Sequence, residues 1–185
     1  MVALRAARRV ADDAERRERF RRLFDREFDY VWTSLRRLGV HEGDAADVAQ
    51  EVFVAVHRKL DEYDPQRPAR PWLFAFAFRC ASDWRRLARH RVEILGPHPS
   101  TPAASPDAEE LLGRAQDVDL VMRALEHVEI DRRAVFILYE LDECPMKEVA
   151  RLLGIPLFTA YSRLRVAREE FTEAVRRLHR EERAQ

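Results

Sequence analysis

Glycine is scarce in this chain, five in 185 residues. Tight hairpin turns lean on glycine for positive φ, so a fold rich in β-turns is not expected. Cysteine is scarcer still, with only Cys80 and Cys144. They form no CxxC pair and no Cys/His cluster, so no zinc site is readable. Two reduced thiols, in the core or on the surface, are expected instead. No apolar run approaches membrane-spanning length. The Arg-rich Met1–Val10 is followed by charge, where a signal peptide needs an apolar core. A soluble, cytoplasmic protein without membrane insertion is expected. Net charge is also lacking, with 33 basic and 33 acidic side chains, which counts against indiscriminate coating of DNA. His41, His57, His90, His98, His127 and His179 are scattered without metal-ligand spacing, and there is no Gly-rich phosphate loop. No catalytic residue, metal or cofactor is therefore expected, and an enzyme is the least supported class.

What is present is charge and helix-forming residues. Asp, Glu, Lys and Arg make up 36% of the chain, a composition that suits helices with solvated faces. Residues 1–92 carry 20 basic and 15 acidic side chains, 93–116 carry 1 and 4, and 117–185 carry 12 and 14. Any affinity for DNA must come from local patches and needs a partner.

Apolar spacing gives an all-α reading. Phe20, Leu23, Phe24, Phe28, Val31, Leu35 and Leu38 recur at three and four residues, predicting a helix over 14–38 with Gly39 as its C-cap. Asp44 reads as the N-cap of a helix over 45–60, whose stripe is Val48, Val52, Phe53, Val56 and Leu60. The segment Tyr63-Asp64-Pro65-Gln66-Arg67-Pro68 breaks the pattern. A third helix is predicted from Pro71 to about His90. Its opening, Trp72 to Phe78, alternates like a strand, but its length and alanine content favour a buried helix. Residues 93–116 hold a Pro/Ser/Ala-rich stretch that reads as a flexible linker. Four more helices follow, over 117–127, 131–141, 146–153 and 157–179. Two small helical domains, 14–92 and 117–179, are expected on either side of the linker.

The sharpest local pattern is Lys147–Pro156 followed by Leu157–Arg165. Val149, Ala150 and Leu153 can face the core, Gly154 can take positive φ, Ile155 can plug the turn, and Pro156 cannot extend the preceding helix. This is the logic of a helix-turn-helix, whose second helix enters the major groove. On that helix Ala160, Leu164, Ala167, Phe171 and Val175 share one face. The opposite face offers Phe158, Tyr161, Ser162, Arg165 and Glu169, with Arg163 and Arg168 at the flanks.

Two further segments make the pattern specific. Asp44–Phe53 resembles the polymerase-docking helix of sigma region 2. Tyr63–Arg67, Arg70–Phe74 and Ala81–Arg86 resemble the promoter-melting part of that region. Phe136–Leu138 with Lys147–Arg168 resembles sigma region 4. In this order and spacing the chain resembles the extracytoplasmic-function (ECF) sigma factors, over about 20–92 and 118–178.

The resemblance implies core RNA polymerase and promoter DNA as partners, and leaves room for an anti-sigma factor. It assigns Asp47, Gln50, Glu51 and Phe53 to polymerase docking. It assigns Asp64, Gln66, Arg67, Arg70, Arg79, Asp83, Trp84 and Arg86 to the −10 element, with Arg85, Arg89 and Arg91 in the same basic tract. Thr159, Tyr161, Ser162, Arg163, Arg165 and Arg168 are assigned to the −35 element. Four departures stand out. Arg79 replaces a frequent Asn, so an altered −10 base preference is expected; Glu129-Ile130 replaces a usual Pro-Glu; and Tyr161 and Val166 replace basic residues, so weak or altered −35 binding is expected. A helix-turn-helix regulator that works without polymerase is the nearest rival; it leaves the Gln50-Glu51 helix and the 63–91 tract unexplained. A protein that sequesters a partner by helix packing is the other.

Overall fold

The computed structural model describes residues 2–95 and 109–183, with side chains described over 12–88 and 117–183. The described residues form helices and turns with no strand among them. The elements are α1 (Val2–Arg37), α2 (Glu42–Arg58), α3 (Ala69–Leu95), α4 (Glu109–Glu126), α5 (Ile130–Phe136), α6 (Met146–Leu153) and α7 (Leu157–Arg183). A single 3₁₀ turn, Leu60–Glu62, leads out of α2, and a π-helical turn, Ile137–Leu141, extends α5.

In the N-terminal half α1, α2 and α3 pack on one another. Gly39 takes φ +91° after α1, and the Val40 amide reaches back to the Leu35 carbonyl at 3.0 Å, closing the helix end. The α2 helix begins earlier than its sequence suggests, at Glu42, with His41 at the N-cap and no side-chain cap. Glu42 and Asp44 then sit in its first turn and His57 and Arg58 in its last, an order that suits the helix dipole. Leu73, Phe74, Ala75, Phe76 and Ala77 are all buried, and all lie on α3. Burial on every side explains why this stretch lacks a helical stripe.

In the C-terminal half α5 and α6 lean on α7. Glu129 caps α5, its carboxylate accepting the amides of Asp131 and Arg132 at 3.1 and 3.4 Å. The helix-turn-helix is α6 and α7. Gly154 adopts φ +66°, and the Ile155 amide bonds the Ala150 carbonyl at 3.0 Å. Val149 and Ala150 are buried, while Leu153 and Ile155 pack against the core from its edge. On α7, Ala160, Leu164, Ala167, Ala174 and Leu178 are buried, and the Phe171 ring lies 4.8 Å from Phe136.

The halves meet. Both contribute to one continuous apolar cluster, with α3 touching α6 and α1 touching α4. Arg133, fully buried, crosses the seam. It donates to the carbonyls of Val128 (2.9 and 3.1 Å) and Glu126 (2.8 Å), and its Nη1 lies against Gly39. Helix also occupies the ends of the expected linker: α3 runs to Leu95 and α4 starts at Glu109. The Pro-rich stretch between them lies outside the described residues.

Candidate nucleic-acid and polymerase interfaces

Three surfaces carry the residues singled out from the sequence. The first is the outer face of α2. Ala45, Val48, Ala49, Val52, Phe53 and Val56 are buried, which turns Asp47, Gln50 and Glu51 outward together. Phe53 does not belong with them. It is 2% exposed, with Phe24 at 4.7 Å and Phe20 and Phe28 just over 6 Å away. A docking anchor must be reachable, and Phe53 is an aromatic core residue. The apolar residue of that outer face is Val54, 52% exposed. It lies seven residues after Asp47 and four after Gln50, so the helical period puts it on the same stripe. That spacing was the signal, and the larger ring next door masked it.

The second surface is the loop before α3. Asp64 accepts the Gln66 amide at 2.9 Å, a turn that stiffens the loop between its two prolines. The Tyr63 hydroxyl donates to the Arg67 carbonyl at 3.0 Å, and its ring lies 4.9 Å from Trp72. Burial pushes the Tyr63 phenol above its ordinary pKa, so it stays a neutral donor. Asp64, Gln66 and Arg67 are exposed. Arg70 is engaged on two sides: Glu27, itself buried, accepts from it at 3.1 Å, and the guanidinium stands 5.2 Å from the Tyr30 ring. Tyr63 and Trp72 thus form a half-exposed aromatic wall beside the loop, which position in the sequence did not separate from the core aromatics.

The other residues assigned to −10 recognition lie farther along α3. From Arg70 to Arg86 the helix climbs about 24 Å. Arg79 is exposed, its guanidinium 5.3 Å from the Phe76 ring, and Asp83 pairs with Arg86 at 3.0 Å. Trp84 lies against His41 at the start of α2, with the centroids 5.2 Å apart. Arg79, Asp83 and Arg86 share one exposed face of α3, and Trp84 is turned away from it towards α2. Arg85 bonds the Leu38 carbonyl at 3.4 Å and is turned inward. The side chains of Arg89 and Arg91 lie outside the described residues.

A cleft of about 1110 Å³ opens between the loop and the C-terminal half, lined by Tyr30, Arg37, Tyr63, Arg67, Trp72, Asp142 and Glu148 among others. Acid faces base across it. Asp142 accepts the Tyr30 hydroxyl at 2.6 Å and pairs with Arg37 at 3.4 Å. Glu148, held by Arg151, lies 4.0 Å from Arg67. Burial raises the pKa of Asp142, although Tyr30, Arg37 and Arg70 all favour its charge. Burial and the neighbouring Asp142 charge raise that of Tyr30. Cys80 and Cys144 are free, and burial pushes both thiols up to about 11, which leaves them protonated and unreactive at neutral pH. Among the described residues no group of three His, Cys, Asp or Glu side chains is placed to hold a metal, and no helix is long and apolar enough to cross a membrane.

The third surface is α7. Its inward alanines and leucine leave Phe158, Tyr161, Ser162 and Arg165 facing out. Thr159 is half-buried beside them. Each arginine of the set meets a carboxylate: Arg163 with Asp131 at 2.8 Å, Arg165 with Glu169 at 2.7 Å, and Arg168 with Glu140 at 2.6 Å.

Known protein families and solved structures match the chain. The Sigma-70 region 2 family matches residues 23–91, and Sigma-70, region 4 matches 119–171. The chain is 28% identical over 141 residues to the RNA polymerase sigma factor NccH of Alcaligenes xylosoxydans xylosoxydans, spanning 74% of this chain and 76% of that protein. It is 27% identical over 150 residues to the ECF RNA polymerase sigma-E factor of Escherichia coli K12, spanning 76% and 78%. The structure of CnrH in complex with the cytosolic domain of CnrY superposes with a TM-score of 0.56 at 25% identity, over 85% of this chain and 87% of that one. The sigma factor RpoE from Bartonella quintana, solved with the anti-sigma factor NepR, shares the fold, with a TM-score of 0.67 at 19% identity over 86% and 98%. With region 2 on α1–α3 and region 4 on α4–α7, this chain belongs to the sigma-70 family, among its ECF sigma factors.

Proposed function

We infer that this protein binds core RNA polymerase and directs it to promoters, as a sigma factor of the ECF group. The observation that carries the reading is the combination of an outward polar stripe on α2 with a helix-turn-helix on α6 and α7, each within its own sigma region. In this reading Asp47, Gln50, Glu51 and Val54 form the polymerase-docking face: a polar rim around one apolar contact. The loop Asp64–Arg70, backed by Tyr63 and Trp72, receives an unstacked base of the −10 strand. Aromatic stacking of that kind is worth about 1–3 kcal/mol per base. Arg79 and Arg86 hold phosphates farther along α3 and make binding salt-dependent. Region 4 presents Thr159, Tyr161, Ser162, Arg163, Arg165 and Arg168 to the −35 duplex. The linker joins the regions, and the chain acts in the cytoplasm, where its polymerase is. It hydrolyses no nucleotide. An anti-sigma factor is a natural further partner, since two solved relatives are held in such complexes or with a cytosolic domain of a partner.

Arg67 pairs with Glu148 across the cleft. In this reading Arg67 exchanges that carboxylate for the DNA strand.

Run-off transcription with core polymerase on a genomic fragment library tests the reading. Discrete start sites with the wild-type chain, abolished in the Gln50→Ala, Glu51→Ala variant, are expected. Tight binding of promoter duplex by the chain alone, with no effect of core polymerase, points instead to a regulator that acts by itself.

A further inference from the structure

Phe158 is 84% exposed, more than any other large apolar side chain among the described residues. Leu157 at 39% and Tyr161 at 54% flank it. The three occupy the first turn and a half of α7 and face outward because Ala160, Leu164 and Ala167 take the inward stripe. Each Å² of ring left in water forgoes about 25 cal/mol of burial, so a complex that covers this tip gains by it. In a helix-turn-helix the N-terminal residues of the second helix are the ones that meet base edges.

The chemistry of the tip narrows what it can meet. A guanine edge calls for a free guanidinium. Here Arg163, Arg165 and Arg168 each sit against a carboxylate, and the leading side chains are the aliphatic Leu157, the phenyl ring of Phe158 and the phenol of Tyr161. The apolar feature that the major groove displays is the thymine C5-methyl, and phenylalanine is among the side chains that contact it.

We propose that Phe158, supported by Tyr161, is a specificity-determining residue that reads thymine methyls in the −35 duplex. The inference rests on reading α7 as the −35 element reader. It gives the promoter a preference for A·T pairs where the helix tip enters.

The test uses holoenzyme reconstituted from core polymerase and the full chain. Promoters recovered by run-off are rebuilt with deoxyuridine for thymine in the −35 segment, which removes the methyl and leaves the pairing edge intact. A buried methyl is worth about 0.8 kcal/mol, so wild-type holoenzyme is expected to lose about fourfold in promoter affinity per methyl contacted. Phe158→Ala holoenzyme should bind the thymine promoter more weakly and respond little to uracil, which makes a two-by-two cycle with a clear coupling. Since Phe158 is exposed, the variant should fold as the wild type does. Equal sensitivity of both proteins to uracil, indifference of the wild type, or recovered promoters without thymine in that segment each overturns the inference while leaving the sigma reading intact. Absence of any polymerase-dependent start site overturns that reading and the inference with it.

Discussion

Two glycines with positive φ sit in different surroundings. At Gly154, φ +66°, a Cβ would meet nothing within 4 Å. Gly154→Ala therefore carries only the left-handed backbone cost, about 1 kcal/mol. At Gly39, φ +91°, a Cβ would stand 2.5 Å from Arg133 Nη1 and 3.1 Å from Arg85 Nη1. Gly39→Ala should cost more, by about 1–3 kcal/mol beyond the backbone term, because a packed guanidinium must move. Urea unfolding of the two variants checks this. Equal losses would mean that Arg133 does not rest on Gly39 in solution. Arg133 also shows how a buried cation is accommodated. Burial, with Arg85 nearby, pulls its pKa down to about 10, and three bonds to carbonyls at the end of α4 hold it in place.

Within α2, adjacent residues face opposite ways. Phe53 fills the aromatic cluster of the N-terminal half, and Val54 faces outward. Phe53→Ala should destabilise by about 3–5 kcal/mol, the usual loss for a buried ring. Val54→Ala should leave stability within about 0.5 kcal/mol yet weaken binding to core polymerase several-fold. Denaturation and a polymerase pull-down separate the two effects, and the reverse pattern would reassign the docking face. For α5, the position where the family pattern places Pro-Glu holds Glu129, which caps the helix through two amides. Glu129→Ala should cost about 1 kcal/mol, seen as a lowered unfolding midpoint.

On the scale of the molecule, the seam between the halves is polar at its rim and titratable. Asp142 has a raised pKa because burial outweighs Tyr30, Arg37 and Arg70. A carboxyl of this kind binds its proton more readily folded than unfolded. Its stabilising contribution is full below the ordinary carboxylate pKa and is lost as pH rises through the raised value. The closed packing should therefore be tighter, relative to an Asp142→Asn variant, in acid than at neutral pH. Unfolding midpoints of both proteins across that window measure it; parallel curves would show that the seam does not bury Asp142. Charge acts at the same seam through Glu148 and Arg67, so raised salt should loosen the packing.

The all-helical class, the main helices and the helix-turn-helix were legible in the sequence, because each depends on local matters: apolar spacing, scarce glycine, and a glycine where α1 ends and where α6 ends. That Asp47, Gln50 and Glu51 share an outward face was legible too, since helical period places them together. What period cannot say is which neighbour of a stripe is buried. Phe53 went inward because three rings of α1 converge on it, and that convergence exists only once α1 and α2 are packed. Likewise the residues assigned from the sequence to the −10 element divide between the loop before α3 and the length of that helix. The contact of the two halves was wholly a tertiary decision. It brings Tyr30 to Asp142, 112 residues apart, and no local rule of spacing or propensity reaches that far.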